Sequence, residues 1–508
     1  MIARLHSVAF FGIEACAVEV EVDIAHRGFG EPTIVGLPDT AVKESIERVK
    51  SALGNSGYEF PRYKAVVNLA PADLKKEGPL YDLPIALGIL FADGAVVGEL
   101  LEKYVVLGEL ALDGRVRTVK GVLSAAMLAK DRGFTGILVP ESNALEAAVV
   151  DGLEVIPVSS LTQAVGFLAG QLPIEPMSVD LDAVFAERSR YDCDFSDVRG
   201  QEQVKRAVSI AAAGGHNLLL IGPPGSGKTM LAKRLPTILP RLTLEESLET
   251  TRIHSVAGEL AAGVSLLATR PVRSPHHSAS TPALVGGGTH PQAGEVSLAH
   301  HGVLFLDEFP EFTRHTLEAL RQPLEDGEVT IARALTTVRF PAQFMLIASM
   351  NPCPCGYFTD PRRKCKCSSP QIDKYLARIS GPLIDRIDIH VEVPAVPFQE
   401  LRGQQDGTSS ATLREQVDTA RARQRQRFDG KVMLNARMSS RDLRKHCKLD
   451  DAGELLLRQA MSEMGLSARA HDKVLRVART IADMEQSETI QPHHVSEAIH
   501  YRRLDRQL

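Results

Sequence analysis

The 508-residue sequence contains no tryptophan, and aromatic residues make up only 5% of it. So few flat π faces argue against a protein that reads nucleobases by stacking. Long uncharged apolar runs are missing, and the N-terminus lacks a basic, apolar, small-residue signal. The chain is therefore expected to be cytoplasmic, with no membrane span. Charge of one sign is not in excess: 58 Lys and Arg face 63 Asp and Glu, a formal net charge of −5. That balance rules out a uniformly basic or acidic particle, but neither a nucleic-acid nor a protein partner, because local patches govern binding. Cysteine is scarce, seven in all, and four of them lie between positions 353 and 367. Such clustering suits a metal clip in a reducing compartment better than a disulfide framework. With 44% hydrophobic and 24% charged residues, the composition is that of a globular chain, and its length asks for two or three domains.

The chain is organised around Gly222-Pro223-Pro224-Gly225-Ser226-Gly227-Lys228-Thr229. An apolar run, Leu218 to Ile221, precedes it, and a helical pattern from Met230 to Leu235 follows. Strand, glycine-rich turn and helix at this spacing make a phosphate-binding loop. Glycines let several backbone N–H groups converge on phosphate oxygens at the positive end of a helix. Lys228 can reach the β- and γ-phosphates of ATP, and the Thr229 hydroxyl can ligate Mg²⁺.

About eighty residues on, Val303-Leu304-Phe305-Leu306 runs into Asp307-Glu308. This reads as a buried parallel strand whose carboxylates emerge where open α/β sheets bind ligands. Asp307 would hold the Mg²⁺ shell and Glu308 would polarise the attacking water. Such a pair also ends ordinary solvated strands; its order after the phosphate loop is what marks a nucleotide hydrolase. A third apolar strand over 344–348 exits through Ser349-Met350-Asn351, and Asn351 could orient the water or read the γ-phosphate.

The first 170 residues form a separate α/β unit. Val18-Glu19-Val20-Glu21-Val22-Asp23-Ile24 alternates as a strand with one wet face. Asp39 caps a helix whose apolar stripe is Val42, Ile46, Val49 and Leu53. Strands at 65–69, 104–107 and 136–139 alternate with helices near 83–90 and 122–129. The segments KEGPLYDLPIA from Lys76 and GELALDGRVRTVKGVLSAAMLAKDRGFTGILVP from Gly108 resemble the proteolytic domain of Lon proteases. That family places its nucleophilic Ser where this chain has Leu80, and its Lys where it has Leu123. Neither half of a Ser–Lys dyad can operate with those side chains. Ser124 and Lys120 are near in sequence but outside the pattern. The resemblance implies a Lon-like domain over 1–170, without the catalytic dyad, kept as a scaffold or assembly platform.

Residues 171–194 lose periodicity and read as a linker. Between phosphate loop and Asp307 lies an insertion with Arg273-Ser274-Pro275-His276-His277-Ser278, Gly286-Gly287-Gly288 and Gly294 to His301. Its glycines suggest mobile loops facing a substrate; its paired histidines admit a metal, although adjacent residues seldom aim at one ion. A hairpin follows from Glu328, with Arg333 at its tip, either solvated or touching a phosphate backbone.

GPPGSGKT, AHHGVLFLDE, LRQPLEDGEVTIARA, IASMNPCPCG and LIDRIDIHVEVP, in this order, resemble the magnesium-chelatase-type AAA+ ATPases. Together with the Lon-like segment, they make the whole chain similar to the YifB/ComM group. This implies an α/β multidomain fold: the Lon-like domain, an AAA+ parallel-sheet core over 195–398 and a helical lid over 399–508. It also implies a second sensor at Arg469 and an arginine finger at Arg386 that reaches a neighbouring subunit's nucleotide. A guanidinium supplied in trans calls for a ring, a hexamer in this class. Either arginine could instead belong to a structural ion pair.

Two C-x-C pairs, Cys353/Cys355 and Cys365/Cys367, depart from the plain chelatase pattern. They can supply four thiolates to a structural Zn²⁺, although C-x-C is tighter than the common C-x2-C. Arg362, Arg363, Lys364 and Lys366 make this loop basic, which suits a surface near nucleic acid. Farther on, Arg414, Arg421, Arg423, Arg425 and Arg427 form an arginine-rich stripe, extended by Arg437, Arg441, Arg444 and Lys445. It is either a solvated face or a grip on phosphates. The family resemblance implies a helicase driving branch migration on single-stranded and branched DNA during natural transformation, alongside other recombination proteins. A chelatase- or MoxR-like ATPase that remodels a protein partner is the alternative, and the positions of Leu80 and Leu123 argue against a protease.

Overall fold

The structure, a computed structural model, describes residues 2–188, 191–288, 291–332, 337–358, 360, 363–396, 407–430 and 433–502. The chain forms two compact units that are interleaved in sequence. One comprises Met1–Arg188 with Thr243–Ala268, the other Ser189–Leu242 with Thr269–Leu508.

The first unit is built on a seven-stranded sheet in the order Thr33–Val35, Tyr63–Ala70, Glu14–Phe29, Ile2–Phe11, Tyr104–Val106, Gly136–Pro140, Glu154–Val158. Ile2–Phe11, Glu14–Phe29 and Tyr63–Ala70 pair antiparallel, and the remaining neighbours pair parallel. Alternation decides which face is wet: Val18, Val20, Val22 and Ile24 are buried, while Asp23 is exposed. Asp39 Oδ1 accepts the Val42 N–H at 2.7 Å. The expected helix is broken at Glu44 into Thr40–Lys43 and Ser45–Asn55, yet Val42, Ile46, Val49 and Leu53 all remain buried. Helix Asp82–Ala92 is buried along its whole length. A Cβ at Gly88 would lie 2.5 Å from Val22 Cγ2, so only a hydrogen there lets the helix press on the strand.

Leu80 and Leu123 both belong to this apolar core. Their polar neighbours are engaged in packing contacts: Ser124 Oγ donates to the Ile13 carbonyl at 2.8 Å, and Lys120 Nζ to the Ala257 carbonyl at 3.3 Å. Helix Leu244–Ala257, from the stretch that follows the phosphate-loop helix, is fixed to this unit by a buried carboxylate. Glu146 accepts the Leu123 N–H at 2.9 Å, the Asn143 amide at 3.2 Å and the Ser255 hydroxyl. Burial pushes the Glu146 carboxyl above the usual range despite these donors.

The second unit contains a five-stranded sheet, all of whose pairings are parallel. Its order is Val272–Arg273, Val303–Leu306, Met345–Met350, Leu218–Ile221, Ile389–Glu392. The three strands beginning at Leu218, Val303 and Met345 are buried residue by residue, as continuous apolar runs in a covered parallel sheet require. Glu328–Ala332 and Thr337–Pro341 form the expected hairpin, whose tip residue Arg333 lies outside the described residues. The C-terminal region is helical: Ser410–Arg427, Ser440–His446, Asp451–Met464, Ala468–Met484 and Pro492–His500. Helix Ala468–Met484 is joined to the sheet by a buried pair, Lys473 Nζ to Asp388 Oδ1 at 2.9 Å. Burial opposes the Asp388 charge, but Lys473 and His216 outweigh it and hold the carboxyl far below its ordinary range. The stretch 171–194, expected to be a linker, carries helix Leu181–Arg188; the 398/399 boundary falls outside the described residues.

Glu146→Ala would strand the Leu123 N–H and the Ser255 hydroxyl. We expect it to destabilise the first unit by about 2 kcal/mol, read from its transition in urea.

Candidate active site

Strand Leu218–Ile221 delivers the phosphate loop at the carboxyl edge of the second unit's sheet. A Cβ at Gly222 would meet the Val393 carbonyl oxygen at 2.3 Å, so glycine is required where the neighbouring chain passes. Gly225 and Gly227 take φ of 75° and 91°, the left-handed region open to glycine. The loop is also tied from outside: Gln201 Nε2 donates to the carbonyls of Ser226 and Pro394, both at 2.9 Å. Gln201 has a left-handed φ of 55° and caps the start of helix Glu202–Gly214. Lys228 Nζ donates to the Gly222 carbonyl at 2.8 Å, the Pro223 carbonyl at 3.0 Å and Asn351 Oδ1 at 3.3 Å. Burial pushes its ammonium below the usual lysine range, against the pull of Asp307.

Asp307 lies beside the loop. Thr229 Oγ1 donates to Asp307 Oδ2 at 2.7 Å, the Glu308 N–H to Oδ1 at 2.9 Å, and the Ser349 hydroxyl also to Oδ1. A hydroxyl and a carboxylate at this separation are the hard oxygen donors that suit Mg²⁺, which commonly takes one or two protein ligands and fills its octahedron with phosphate and water. Ser349 follows from the register: Leu306 pairs with Ala348, which puts Ser349 beside Asp307. Its signal in the sequence is a polar residue inside an otherwise apolar strand.

Glu308 is a non-glycine residue at φ 52°, and its side chain is exposed. Backbone strain of this kind gathers at functional sites. His277 Nδ1 stands 3.0 Å from Glu308 Oε2. One of the histidines that suggested a metal therefore addresses the candidate water-polarising carboxylate. Elsewhere in the insertion, His300 Nδ1 accepts the Gln343 N–H at 3.0 Å, a packing contact.

Arg386 lies at the opposite edge. It precedes strand Ile389–Glu392, whose first residue pairs with Leu218 and whose last pairs with Ile221, next to the phosphate loop. The four strand residues rise by roughly 13 Å, and Arg386 lies in the turn before the first of them. Arg386 thus lies at the sheet edge away from the phosphate loop of its own chain. Its guanidinium pairs with Glu325, its Nε has no acceptor among the described residues, and it borders a cleft of about 780 Å³. Burial first, then the positive charges of Arg321 and Arg469, push the Arg386 guanidinium down, while Glu325 pulls it up. Arg469 is exposed at the start of helix Ala468–Met484, which Lys473 ties to Asp388, two residues from Arg386. The two arginines share one region.

All four clustered cysteines converge. Their sulfurs lie within 4.8 Å of one another, with Cys353 buried. The backbone N–H groups of Lys366 and Tyr357 bring the Cys355 thiol down to about 6. In the same loop Arg363 donates to the Tyr357 hydroxyl at 2.9 Å, while Arg362 lies outside the described residues.

The arginine-rich helix is divided. Arg414 donates to the Thr237 carbonyl at 2.8 Å, Arg421 to the Ala212 carbonyl at 2.7 Å, and Arg427 to Asp483 Oδ2 at 2.8 Å. These three fasten the helix to its own unit, whereas Arg425, Arg441, Arg444 and Lys445 stay exposed. Charge counting does not separate the two groups.

A glycine-rich loop, an acidic strand end and a polar strand exit on one edge of a parallel sheet, followed by a helical C-terminal region, define an AAA+ ATPase core of the magnesium-chelatase type. Comparison with known families agrees. Residues 194–401 match the model described as magnesium chelatase, subunit ChlI, residues 20–143 that of subunit ChlI of Mg-chelatase, and residues 407–502 the ChlI C-terminal model. The chain is 45% identical over 506 residues to YifB of Escherichia coli K12, covering 99% of this chain and 97% of that protein. It is also 45% identical over 514 residues to the competence protein ComM of Haemophilus influenzae, covering 100% of this chain and 98% of that protein. The 38 kDa magnesium-chelatase subunit of Rhodobacter capsulatus is 27% identical over 177 residues, 31% of this chain and 50% of that protein. The chain belongs to the YifB/ComM family of magnesium-chelatase-like AAA+ proteins.

Ser349→Ala leaves Asp307 with one hydroxyl partner fewer. The Mg²⁺ concentration for half-maximal ATP turnover should rise about tenfold, as expected for loss of a group that orients a metal ligand. A magnesium titration at saturating ATP reads this.

Proposed function

We propose that this protein is an ATP-hydrolysing ring motor acting on DNA, a helicase that promotes branch migration when incoming DNA recombines. ATP sits on the loop from Gly222 to Thr229, with Lys228 on its phosphates. Mg²⁺ is held by Thr229 and Asp307, Glu308 polarises the attacking water, and Asn351 senses the γ-phosphate. Arg386 and Arg469 act on the nucleotide of the adjoining subunit. A Zn²⁺ in the loop 353–367 has a structural part. The Lon-like domain over 1–170 serves assembly.

One observation carries the ring: the phosphate-handling groups and Arg386 lie on opposite edges of the same sheet. Developing charge on the transferring phosphoryl group needs a guanidinium, and a second copy can bring one where the chain itself cannot. Pairing with Glu325 keeps Arg386 engaged until a neighbour's nucleotide competes for it. The DNA part of the reading is supported by the competence protein among the relatives and by the exposed cations Arg425, Arg441, Arg444 and Lys445. The resemblance of the core to a magnesium-chelatase subunit supports the second reading, an ATPase that remodels a protein partner.

Glu308→Gln should assemble with ATP while turnover falls at least about a hundredfold; full activity would remove Glu308 from its role. Arg386→Ala should bind ATP yet lose about a thousandfold or more in hydrolysis. Mixing Arg386→Ala with Lys228→Ala should restore part of the activity, because one interface then carries both intact groups. A monomer that hydrolyses ATP at full speed would sink the ring. Single-stranded and branched DNA should each stimulate the ATPase, and branch migration should follow. No stimulation, together with a stably bound protein partner, would transfer the assignment to the second reading.

A further inference from the structure

The loop between Asn351 and helix Ser369–Leu376 is longer than a strand exit needs, and both its start and the helix after it approach the nucleotide corner. At its start, Cys353 to Gly356 form a turn closed by the Gly356 N–H on the Cys353 carbonyl at 2.9 Å. Gly356 is left-handed, and a Cβ there would lie 2.5 Å from Cδ of Pro224 in the phosphate loop and 3.8 Å from Cγ of Asn351. In the helix that follows, buried Tyr375 faces the backbone of Asn351. Between these two anchors stand the four cysteines.

A tetrahedral Zn²⁺ with Zn–S bonds of about 2.3 Å has sulfur–sulfur edges of about 3.8 Å. Here Cys353–Cys355, Cys353–Cys365 and Cys355–Cys365 measure 3.4, 3.7 and 3.6 Å. Three near-equal edges describe a tetrahedral face and not a disulfide, whose sulfurs lie about 2.05 Å apart. Cys367 supplies the fourth corner, and its N–H approaches Cys365 Sγ at 3.4 Å, the kind of donor that favours a ligating thiolate. Four protein ligands leave no open position, so the metal cannot act on substrate.

We infer that this zinc is a strut for the nucleotide site: it locks the turn from Cys353 to Gly356 against Pro224 and Asn351, so that metal loading sets the turnover number and leaves ATP affinity nearly untouched. The physical reason is placement. Lys228 and the loop backbone bind phosphate with or without the strut. Asn351, held by Lys228 at 3.3 Å on one side and by this loop on the other, must be aligned when the γ-phosphoryl group transfers. This inference rests on reading the corner as an ATP site.

The full chain, purified without chelator, should contain one zinc per chain by elemental analysis. Cys365→Ser combined with Cys367→Ser should lose the zinc and about tenfold or more in kcat, with KM for ATP within about twofold. Stripping the wild type of zinc should do the same, and adding zinc back should restore kcat, which separates the effect from misfolding. Gly356→Ala keeps all four ligands; it should retain zinc and still lose kcat. A zinc-free chain, with its thiols free, disulfide-bonded or holding iron, overturns the metal site and the strut together. Zinc in the protein as purified, but wild-type kcat in both the zinc-stripped chain and Gly356→Ala, overturns the strut alone. Absence of ATP turnover in the zinc-loaded wild type instead overturns the nucleotide reading beneath it.

Discussion

In a parallel sheet every strand delivers its carboxyl end to the same edge, and the second unit is built on that constraint. Leu218–Ile221 lies between Met345–Met350 and Ile389–Glu392, with Val303–Leu306 one strand farther out. Gly222, Asp307 and Asn351 therefore emerge together although up to 129 residues separate them in the chain (351 − 222). By the same rule a residue that precedes a strand belongs to the other edge, as Arg386 does. The phosphate loop and Arg386 thus stand on opposite edges of one sheet, and the cause is strand direction.

Hydrogen bonds running across the strands turn this shared edge into a fixed corner. Thr229 and Ser349 hold Asp307, Lys228 reaches Asn351, and Gln201 fastens the loop from outside. These donors come from three segments, the helix after the loop, strand Met345–Met350 and the cap of helix Glu202–Gly214, so the corner is only as rigid as the sheet beneath it. In the first unit Leu80 and Leu123, where the Lon resemblance would put Ser and Lys, contribute to an apolar core. Burial there stabilises the fold and leaves no nucleophile to activate.

Much of this corner is legible in the amino-acid sequence, though unevenly. The phosphate loop is legible because its chemistry is local: the glycines, Lys228 and Thr229 act within eight residues. Asp307 and Asn351 are legible because buried parallel strands are almost wholly apolar and polar residues directly after such a run mark its exit. The roles of Ser349, His277 and Gln201 are not, since each acts through a partner set by register or by a loop crossing. The arginine stripe misleads by proximity in sequence: Arg414 and Arg421 face carbonyls of their own unit, Arg425 faces water, and a list of charges contains no direction. The cysteines are legible as two pairs, but their convergence on one point, and the contact of their loop with Pro224, are not.

The sequence by itself determined which groups can do chemistry: a loop that can wrap phosphate, carboxylates at a strand end, four thiols, and two apolar residues where a protease would need Ser and Lys. These follow from side-chain type and short-range spacing, which chain geometry converts directly into local structure. Only the tertiary structure decided who meets whom. It put Asp307 between two hydroxyls, His277 on Glu308 and the cysteine loop on the phosphate loop, and it set Arg386 at the other edge of the sheet. Such distances are products of strand order and packing, which depend on the whole chain at once.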